Sequence, residues 1–176
     1  MKPSSILVAT HQDAAFIRPI GRATFESAAD FKAAFGAMRE RGFRRFIVDL
    51  AECAQMDSTF LGTLAASAMK LREQRGADLP IHLCGPNERI VKLLGDLGVI
   101  DLFRISATEP TPSDYRDAPG ADASPRTMAQ TSLEAHETLI ALCPENRPKF
   151  KDVVTFLKED LGKIAPEKAA GETPGA

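Results

Sequence analysis

The residues of this sequence that are best placed to do chemistry stand side by side as Asp57-Ser58-Thr59. The segment before them, RRFIVDLAEC, has the apolar run of a buried strand, and the segment after them, TLAASAMKLREQRG, has apolar residues at helical spacing. An acid and two hydroxyls therefore stand where a strand leads into a helix. Asp57 is predicted to be the N-cap of that helix, because an acid there accepts backbone N–H groups and complements the helix dipole.

Capping explains the acid but not the hydroxyl that follows it. Ser58 would be the first residue of a helix at the end of a central strand, and in open α/β sheets ligands and partners bind at that edge. A side chain there is exposed and near free backbone amides, which suits it to carry a phosphate. Two interpretations stay open at this point: the trio is only a helix cap, or Ser58 is a modification site.

The chain lacks the residue patterns of most enzyme classes. Its histidines, His11, His82 and His136, are far apart in sequence, and none is expected near Ser58. No GxSxG elbow surrounds Ser58, and there is no glycine-rich phosphate loop. The three cysteines form no CxxC pair, so they are predicted to be reduced thiols of a cytosolic protein and not zinc ligands. We therefore expect no enzyme, no metal and no cofactor.

The composition argues against nucleic acid and membrane partners. The formal net charge is −2, so no basic field attracts DNA, RNA or an anionic membrane. With one tyrosine and no tryptophan, stacking platforms for single strands are not expected. No apolar run reaches the ~20 residues of a membrane span, and the apolar run near the N-terminus is too short for a signal peptide. The predicted location is the cytoplasm.

The hydrophobic pattern of residues 1–108 predicts the element order ββαβαβαβ. The first two strands form a hairpin, and Pro19 places the second at a sheet edge or a bulge. The first helix is predicted to begin at Ser27 and to end at Gly42, and Asn87 is predicted to cap the third helix. The segment FRRFIVDL is typical of a central strand covered on both sides. Strands that alternate with helices indicate an α/β fold with a mostly parallel sheet.

The composition changes after this first domain. Residues 109–125 are rich in Pro, Ala and Asp with almost no apolar anchors, which predicts a linker. Residues 126–165 carry two helical apolar patterns and are predicted to form a helical hairpin, and residues 166–176 a disordered tail. The apolar stripe that begins at Phe150 requires burial. It would pack either on the same chain or on a second copy as a homodimer.

The segment RRFIVDLAECAQMDSTFLGTLAASAMKLREQ resembles the signature of STAS-domain anti-sigma factor antagonists. In that family an apolar strand and an acidic loop lead into Asp-Ser-Ser/Thr-Gly-Leu-Gly, which opens a helix. The predicted element order and the length of residues 1–108 agree with the family. The resemblance implies a STAS-type fold, which is a mostly parallel mixed sheet with helices; it does not cover the C-terminal hairpin.

The resemblance also implies a mechanism based on phosphorylation, in which Ser58 is the phosphoacceptor. The phosphoryl donor would be a partner that is both an anti-sigma factor and a serine kinase of histidine-kinase-like fold. The unphosphorylated antagonist would sequester this partner, phosphorylation would release it, and a metal-dependent Ser/Thr phosphatase would reset the switch. The partner-binding residues carried over by the motif are Asp57, Ser58, Thr59, Phe60 and Gly62.

Two positions depart from the family pattern. Phe60 stands where a glycine is common, and the segment IGRATFES lacks the acidic residues that often follow its glycine. Phe60 either points outward as a hot spot for the partner or tucks under the loop that follows the second strand. The alternative to a phospho-switch is a STAS scaffold or small-ligand sensor without phosphorylation, with a pocket bordered by Phe60 and the strand ends.

Overall fold

The computed structural model describes residues 4–75, 80–108 and 111–164. Within these residues the strands are Ser5–His11 (β1), Ala14–Ala23 (β2), Arg45–Asp49 (β3), Cys53–Met56 (β4), Ile81–Cys84 (β5), Phe103–Ser106 (β6) and Arg116–Asp117 (β7). The helices are Phe25–Glu40 (α1), Ser58–Arg75 (α2), Glu88–Asp96 (α3), Pro125–Leu142 (α4) and Arg147–Lys163 (α5). Short 3-10 helices span Ile100–Leu102 and Pro144–Asn146. The predicted tail, residues 166–176, lies outside the described residues.

The strands form one mixed sheet in the order β6-β5-β3-β2-β1-β7, with β4 paired to β2 beside this path. Strands β2, β3, β5 and β6 run parallel to one another, while β1 is antiparallel to both β2 and β7. The predicted mostly parallel α/β fold is thus confirmed, with β3 as a buried central strand. The sequence pattern missed β4 and β7, which have four and two residues.

Strand β2 is an interior strand, so of the two alternatives predicted from Pro19 the sheet edge is wrong, whereas the strand does carry an irregularity of register. On one side Pro19 lies opposite Ile6 of β1. On the other side β3 pairs with residues 14–17 of β2, and β4 pairs with residues 21–23. Proline has no N–H to donate, and it is accommodated here between these two partner strands. The register shift of this strand lies two residues further on, between Gly21 and Arg22.

The main core lies between the sheet and the helices. The fully buried side chains include Phe31 of α1 and Leu61 and Leu64 of α2, and the burial of α2 agrees with its helical spacing of apolar residues. Helix α1 begins earlier than predicted: Thr24 is its N-cap, and Ser27 is the third residue of the helix. Ser27 accepts a hydrogen bond from the Thr24 N–H at 3.3 Å, so it serves in the cap without opening the helix.

Two of the expected helix signals have the predicted geometry. Gly42 follows the end of α1 with φ +96°, a left-handed conformation that glycine adopts at no steric cost. The Asn87 side chain caps α3, because its Oδ1 accepts the Ile90 N–H at 3.1 Å. Its Nδ2 also donates to the carbonyls of Cys53 and Ala54, which fixes the start of α3 against β4.

The segment predicted as a linker is anchored to the sheet. Its strand β7 pairs with β1, and the Tyr115 hydroxyl lies 3.4 Å from an Asp49 carboxylate oxygen. The Arg18 guanidinium lies 3.9 Å from the centre of the Tyr115 ring and donates to Asp49 at 2.6 Å. The described part of residues 109–125, predicted as a linker with almost no apolar anchors, thus contains one aromatic anchor and one short strand. One aromatic residue and a two-residue strand leave little pattern in a sequence.

The predicted C-terminal hairpin packs on its own domain. Helix α4 contacts α1 and α2, and its Leu139 is fully buried in the main core. Helix α5 packs on α4, where Leu157 is buried and the other members of its apolar stripe are partly buried. Intramolecular packing, one of the two alternatives for this stripe, is thus present. A homodimer through these helices stays a prediction.

Candidate functional site

The Asp57 carboxylate caps two helices at once. Its Oδ1 accepts the Phe60 N–H at 2.8 Å, which is the predicted N-cap bond of α2. Its Oδ2 accepts the Phe25 N–H at 2.8 Å, at the first residue of α1. The Asp57 N–H in turn donates to the Ala23 carbonyl at 3.0 Å, at the end of β2. Each carboxylate oxygen therefore holds one helix start, and together they fix where Ser58 lies.

Ser58 is the first residue of α2, and its side chain contacts the C-terminal hairpin. The Ser58 Oγ lies 3.0 Å from Nε2 of His136 in α4. Ser58 is partly exposed, whereas His136 is 4% exposed. Sequence reasoning missed this histidine, since 78 residues separate it from Ser58. The expectation that no histidine lies near Ser58 is therefore wrong.

The surroundings of His136 determine which ring nitrogen carries the proton. Its Nδ1 lies 2.7 Å from the Ser132 backbone carbonyl, an acceptor only, so Nδ1 must be the protonated nitrogen of a neutral ring. Nε2 is then the acceptor, and the Ser58 hydroxyl donates to it. Burial, the largest effect, lowers the pKa of His136, against smaller opposing effects of the Ser132 carbonyl and Asp57. The ring of Phe150 lies 4.9 Å away, centre to centre, and covers another side of the imidazole.

The neighbours of Ser58 on α2 also contact α4. The Thr59 hydroxyl is 3.1 Å from the Ser132 hydroxyl, and Thr59 is 5% exposed. Gly62 lies directly against the α4 backbone: a Cβ built there would be 2.4 Å from the Ala135 carbonyl oxygen. Only glycine permits this approach, because real Cβ atoms do not come so close to backbone. Helices α2 and α4 therefore touch along the first turns of α2.

Phe60 does not point outward, so the interpretation of this residue as an exposed hot spot is wrong. Phe60 is fully buried, and its ring lies 5.1 Å from that of Phe31 in α1, centre to centre. Of its two predicted placements the inward one is correct, although α1 provides the packing partner. The exposed aromatic residue beside Asp57 is Phe25, which is 47% exposed. An open cleft at this side of the site is lined by Phe25, Arg22 and Asp57, among others.

The described residues hold no group of three or more histidine, cysteine or acidic side chains arranged for a metal ion. Cys53 and Cys84 are buried free thiols, and Cys143 is partly exposed. Burial, as the largest effect, raises the pKa of Cys53 to about 11, so this thiol is not a reactive thiolate at neutral pH. None of the helices in the described part of the chain has both the length and the apolar composition that a membrane crossing requires.

The STAS domain family model matches residues 5–111, more than half of the chain. A crystal structure of TM1081 from Thermotoga maritima, a proposed anti-sigma factor antagonist, has a TM-score of 0.52 at 20% identity, over 57% of this chain and 85% of that chain. The NMR structure of TM1081 gives 0.51 at 20% identity, over 57% and 79%. The anti-sigma factor antagonist SpoIIAA in its unphosphorylated form gives 0.49 at 14% identity, over 60% and 90%. A comparison with curated protein sequences gives no match.

These comparisons concern the first part of the chain. At such identities the two TM1081 structures show a likeness of fold. Helices α4 and α5 begin after the last residue that the family model matches, so His136 and Ser132 belong to an addition that this family model does not include.

Proposed function

Because the chain belongs to the STAS domain family, we propose that it is an anti-sigma factor antagonist switched by phosphorylation of Ser58. In its unphosphorylated form it binds and sequesters an anti-sigma factor that is also a serine kinase of histidine-kinase-like fold. Phosphorylation releases that partner, and a metal-dependent Ser/Thr phosphatase restores binding. The protein acts in the cytoplasm as a binding module in transcription regulation, and not as an enzyme.

The observation that carries this proposal is the position of Ser58 as the first residue of α2, behind the doubly bonded Asp57. The start of a helix favours an anion, because backbone N–H groups point toward it and the helix dipole is positive there. The start of α2 is therefore a favourable position for a phosphoryl group transferred from ATP to the Ser58 Oγ. An O–P bond forms at Oγ, the bond between the γ- and β-phosphates breaks, and the hydroxyl proton passes to a base.

The same phosphate is unfavourable in an interface with a partner. It adds about −1.5 to −2 charges and three acceptor oxygens beside the Asp57 carboxylate. A loss of ~3–4 kcal/mol of binding free energy weakens the complex by two to three decades. The charge and the bulk of the phosphate act directly at the contact with the partner.

The contact surface proposed for the partner differs from the expectation at Phe60, and Thr59 and Gly62 are covered by α4 in this structure. Phe60 supports the site from inside, since it is fully buried. Phe25 takes its place as the exposed aromatic anchor next to Asp57. Arg22 lines the same open cleft and supplies a positive charge for an acidic group of the partner. The buried position of Phe60 also removes it as the border of a ligand pocket, the feature on which the sensor alternative rested.

A second candidate function is nucleophilic catalysis by Ser58, and the hydrogen bond to His136 is the observation that favours it. A serine hydroxyl that donates to a neutral histidine is the arrangement of an activated nucleophile. Two features weigh against it. His136 lies buried between α2 and Phe150, and both Asp57 oxygens bond to backbone N–H groups. A fluorophosphonate probe that labels Ser58 no faster than free serine would reject this candidate.

The proposed function is tested by recovering the partner from native cells on immobilised protein and then adding ATP. The wild-type chain is expected to release a kinase of histidine-kinase-like fold when ATP is added, as Ser58 becomes phosphorylated. Ser58→Ala should retain that kinase under the same conditions, and Ser58→Asp should bind it at least tenfold more weakly than the wild type does. Release from Ser58→Ala on addition of ATP would contradict the proposal.

A further inference from the structure

We propose that helix α4 competes with the partner protein for the same face of α2, and that the contact between Ser58 and His136 is the latch that holds α4 in place. The inference rests on the function proposed above, because it concerns access to that binding surface. The binding surface on α2 then has two alternative occupants, the partner protein and helix α4 of the same chain. The contacts of α4 involve Ser58, Thr59 and Gly62, three of the five predicted partner-binding residues.

Helix α4 excludes the partner from α2 sterically. Thr59 is 5% exposed, and its hydroxyl already pairs with that of Ser132. The space above Gly62 is filled by the Ala135 backbone. A partner cannot touch either residue while α4 is docked. Phosphorylation is hindered as well, because three phosphate oxygens on Ser58 need the space in which the His136 ring lies 3.0 Å from Oγ.

The contact between α2 and α4, which we call the seam, is rich in buried polar side chains. Eight polar side chains are buried in the described residues, and six of them lie in this seam or at the end of α4: Thr59, Thr63, Ser67, Thr131, His136 and Asn146. Hydroxyls can exchange their protein hydrogen bonds for bonds to water at little net cost. A contact of small and polar groups also gains less from the hydrophobic effect than a contact of large apolar side chains. The seam is therefore suited to open without unfolding the domain.

The other polar contacts that hold α4 on the domain differ in strength along the helix. The ion pair of Lys32 with Glu134 is about two-fifths exposed at both side chains, where such pairs contribute little. The C-terminal end is held more firmly, because the buried Asn146 donates to the carbonyls of Leu97 and Leu139 at 2.9 Å each. The latch at His136 lies between these two ties. Its loss weakens the hold on the part of α4 that covers Ser58 and Thr59.

The competition has a quantitative consequence for the partner. If only the open state binds, the apparent dissociation constant equals the intrinsic one divided by the open fraction. A latch variant raises that fraction and strengthens binding by the same factor. Phosphorylation of Ser58, which excludes the docked position of His136, then acts on both contacts: it keeps α4 off α2 and repels the partner.

The opening of the seam is measured with a cysteine reporter in the full-length chain. Thr59→Cys is made together with Cys143→Ser, which leaves Cys53 and Cys84 buried, and the rate of modification of Cys at position 59 by N-ethylmaleimide is followed by mass spectrometry. Adding His136→Ala is expected to raise this rate about tenfold, the effect of ~1.4 kcal/mol on an opening equilibrium. Thr155→Ala is the matched control: its hydroxyl bonds only within α5, to the Lys151 carbonyl, and the rate should not change.

Equal modification rates at position 59 with and without His136→Ala would contradict the role of the contact between Ser58 and His136 as a latch. Circular dichroism shows whether each variant is folded. If His136→Ala does not fold, Gly62→Ala replaces it, because an added Cβ pushes α4 away without removing a side chain from its core. The rate at position 59 should then rise in the same way, and an unchanged rate in a folded Gly62→Ala chain would equally contradict the docking of α4 as the cover.

The competition itself is measured by phosphorylation of Ser58 with ATP in an extract of the native cells. His136→Ala in the otherwise native chain is expected to gain phosphate on Ser58 several-fold faster than the wild type. An equal or slower gain would contradict the competition and would indicate that α4 supports phosphoryl transfer. Absence of phosphate from Ser58 in both chains would contradict the proposed function, and with it the competition, whatever the cysteine rates show about docking.

Discussion

Helix α2 is buried on two faces that differ in chemistry. The face toward the sheet is made of large apolar side chains such as Leu61, Leu64 and Leu71, all at most 1% exposed. The face toward α4 is made of hydroxyl-bearing residues and Gly62, with Thr63 and Ser67 bonded back to carbonyls of α2 itself. The first face holds the domain together, because exposing its large apolar side chains to water costs the most free energy. The second is a contact that we propose can open at the first turns of α2, while Leu139 keeps the end of α4 in the main core.

The largest effect on stability is expected at Leu64, on the apolar face of α2. Leu64→Ala removes a fully buried side chain from the apolar face and is expected to lower the free energy of unfolding by ~2–5 kcal/mol. Its neighbour Thr63 is also buried, but its hydroxyl bonds only to the Thr59 carbonyl in the same helix. Thr63→Ala is the matched control and should cost less than ~1 kcal/mol in urea unfolding. Similar losses for the two variants would contradict the difference between the two faces.

The next largest loss of stability is expected for substitution of Asp57, because its carboxylate bonds to the starts of both α1 and α2. Asp57→Ala removes both cap bonds, and each is worth ~1 kcal/mol, so a loss of about 2 kcal/mol is expected in urea unfolding. Asp57→Asn keeps one side-chain oxygen as an acceptor and should lose about half as much. If Asp57→Asn were as unstable as Asp57→Ala, the charge of Asp57 and not its two bonds would be the stabilising feature.

Gly62→Ala is expected to stabilise α2 and to weaken its contact with α4. Alanine is favoured over glycine inside a helix by ~1 kcal/mol, so α2 itself should become more stable. The added Cβ cannot coexist with the Ala135 carbonyl at 2.4 Å, so α4 should leave α2. Hydrogen exchange is expected to rise along α4, with the slowest amides of β3 and β5 unchanged or slower. Faster exchange in β3 and β5 would show that the seam cannot open independently of the core.

The smallest predicted effect is a pH dependence of the seam. Burial lowers the pKa of His136 below its ordinary value of 6.5. The open or unfolded chain therefore binds a proton at a higher pH than the docked chain does. Docking is at full strength above pH 6.5 and weakens as the pH falls from there toward the lowered pKa of the docked state.

This dependence is measured as the melting temperature of the wild type at pH 7.5 and 5.5, with His136→Gln as the control. Asp57, Ser58, Ser132 and Phe150 surround the ring, and the Asp57 carboxylate opposes part of the effect of burial. The wild type should lose more between the two pH values than His136→Gln does. An equal loss would show that other groups titrate in this range.

Local patterns in the sequence predict the strand, the cap and the helix that position Ser58. The contacts that cover Ser58 depend on residues distant in the sequence. Asp57 could be assigned as a cap from its neighbours alone, because capping depends on residues within one helical turn. His136 could not be assigned, since its contact with Ser58 spans 78 residues and joins two segments of different composition. Periodicity likewise did not fix Phe60, whose direction depends on the position of Phe31 in another helix.

Phosphopeptide mass spectrometry of the protein isolated from its own cells tests the central claim most directly. The account predicts phosphate on Ser58, the residue that Asp57 presents at the start of α2 and that His136 covers, in an amount that changes between growth, starvation and stress. An unmodified Ser58 under all of these conditions would contradict the switch, and Asp57-Ser58-Thr59 would be a helix cap beneath α4.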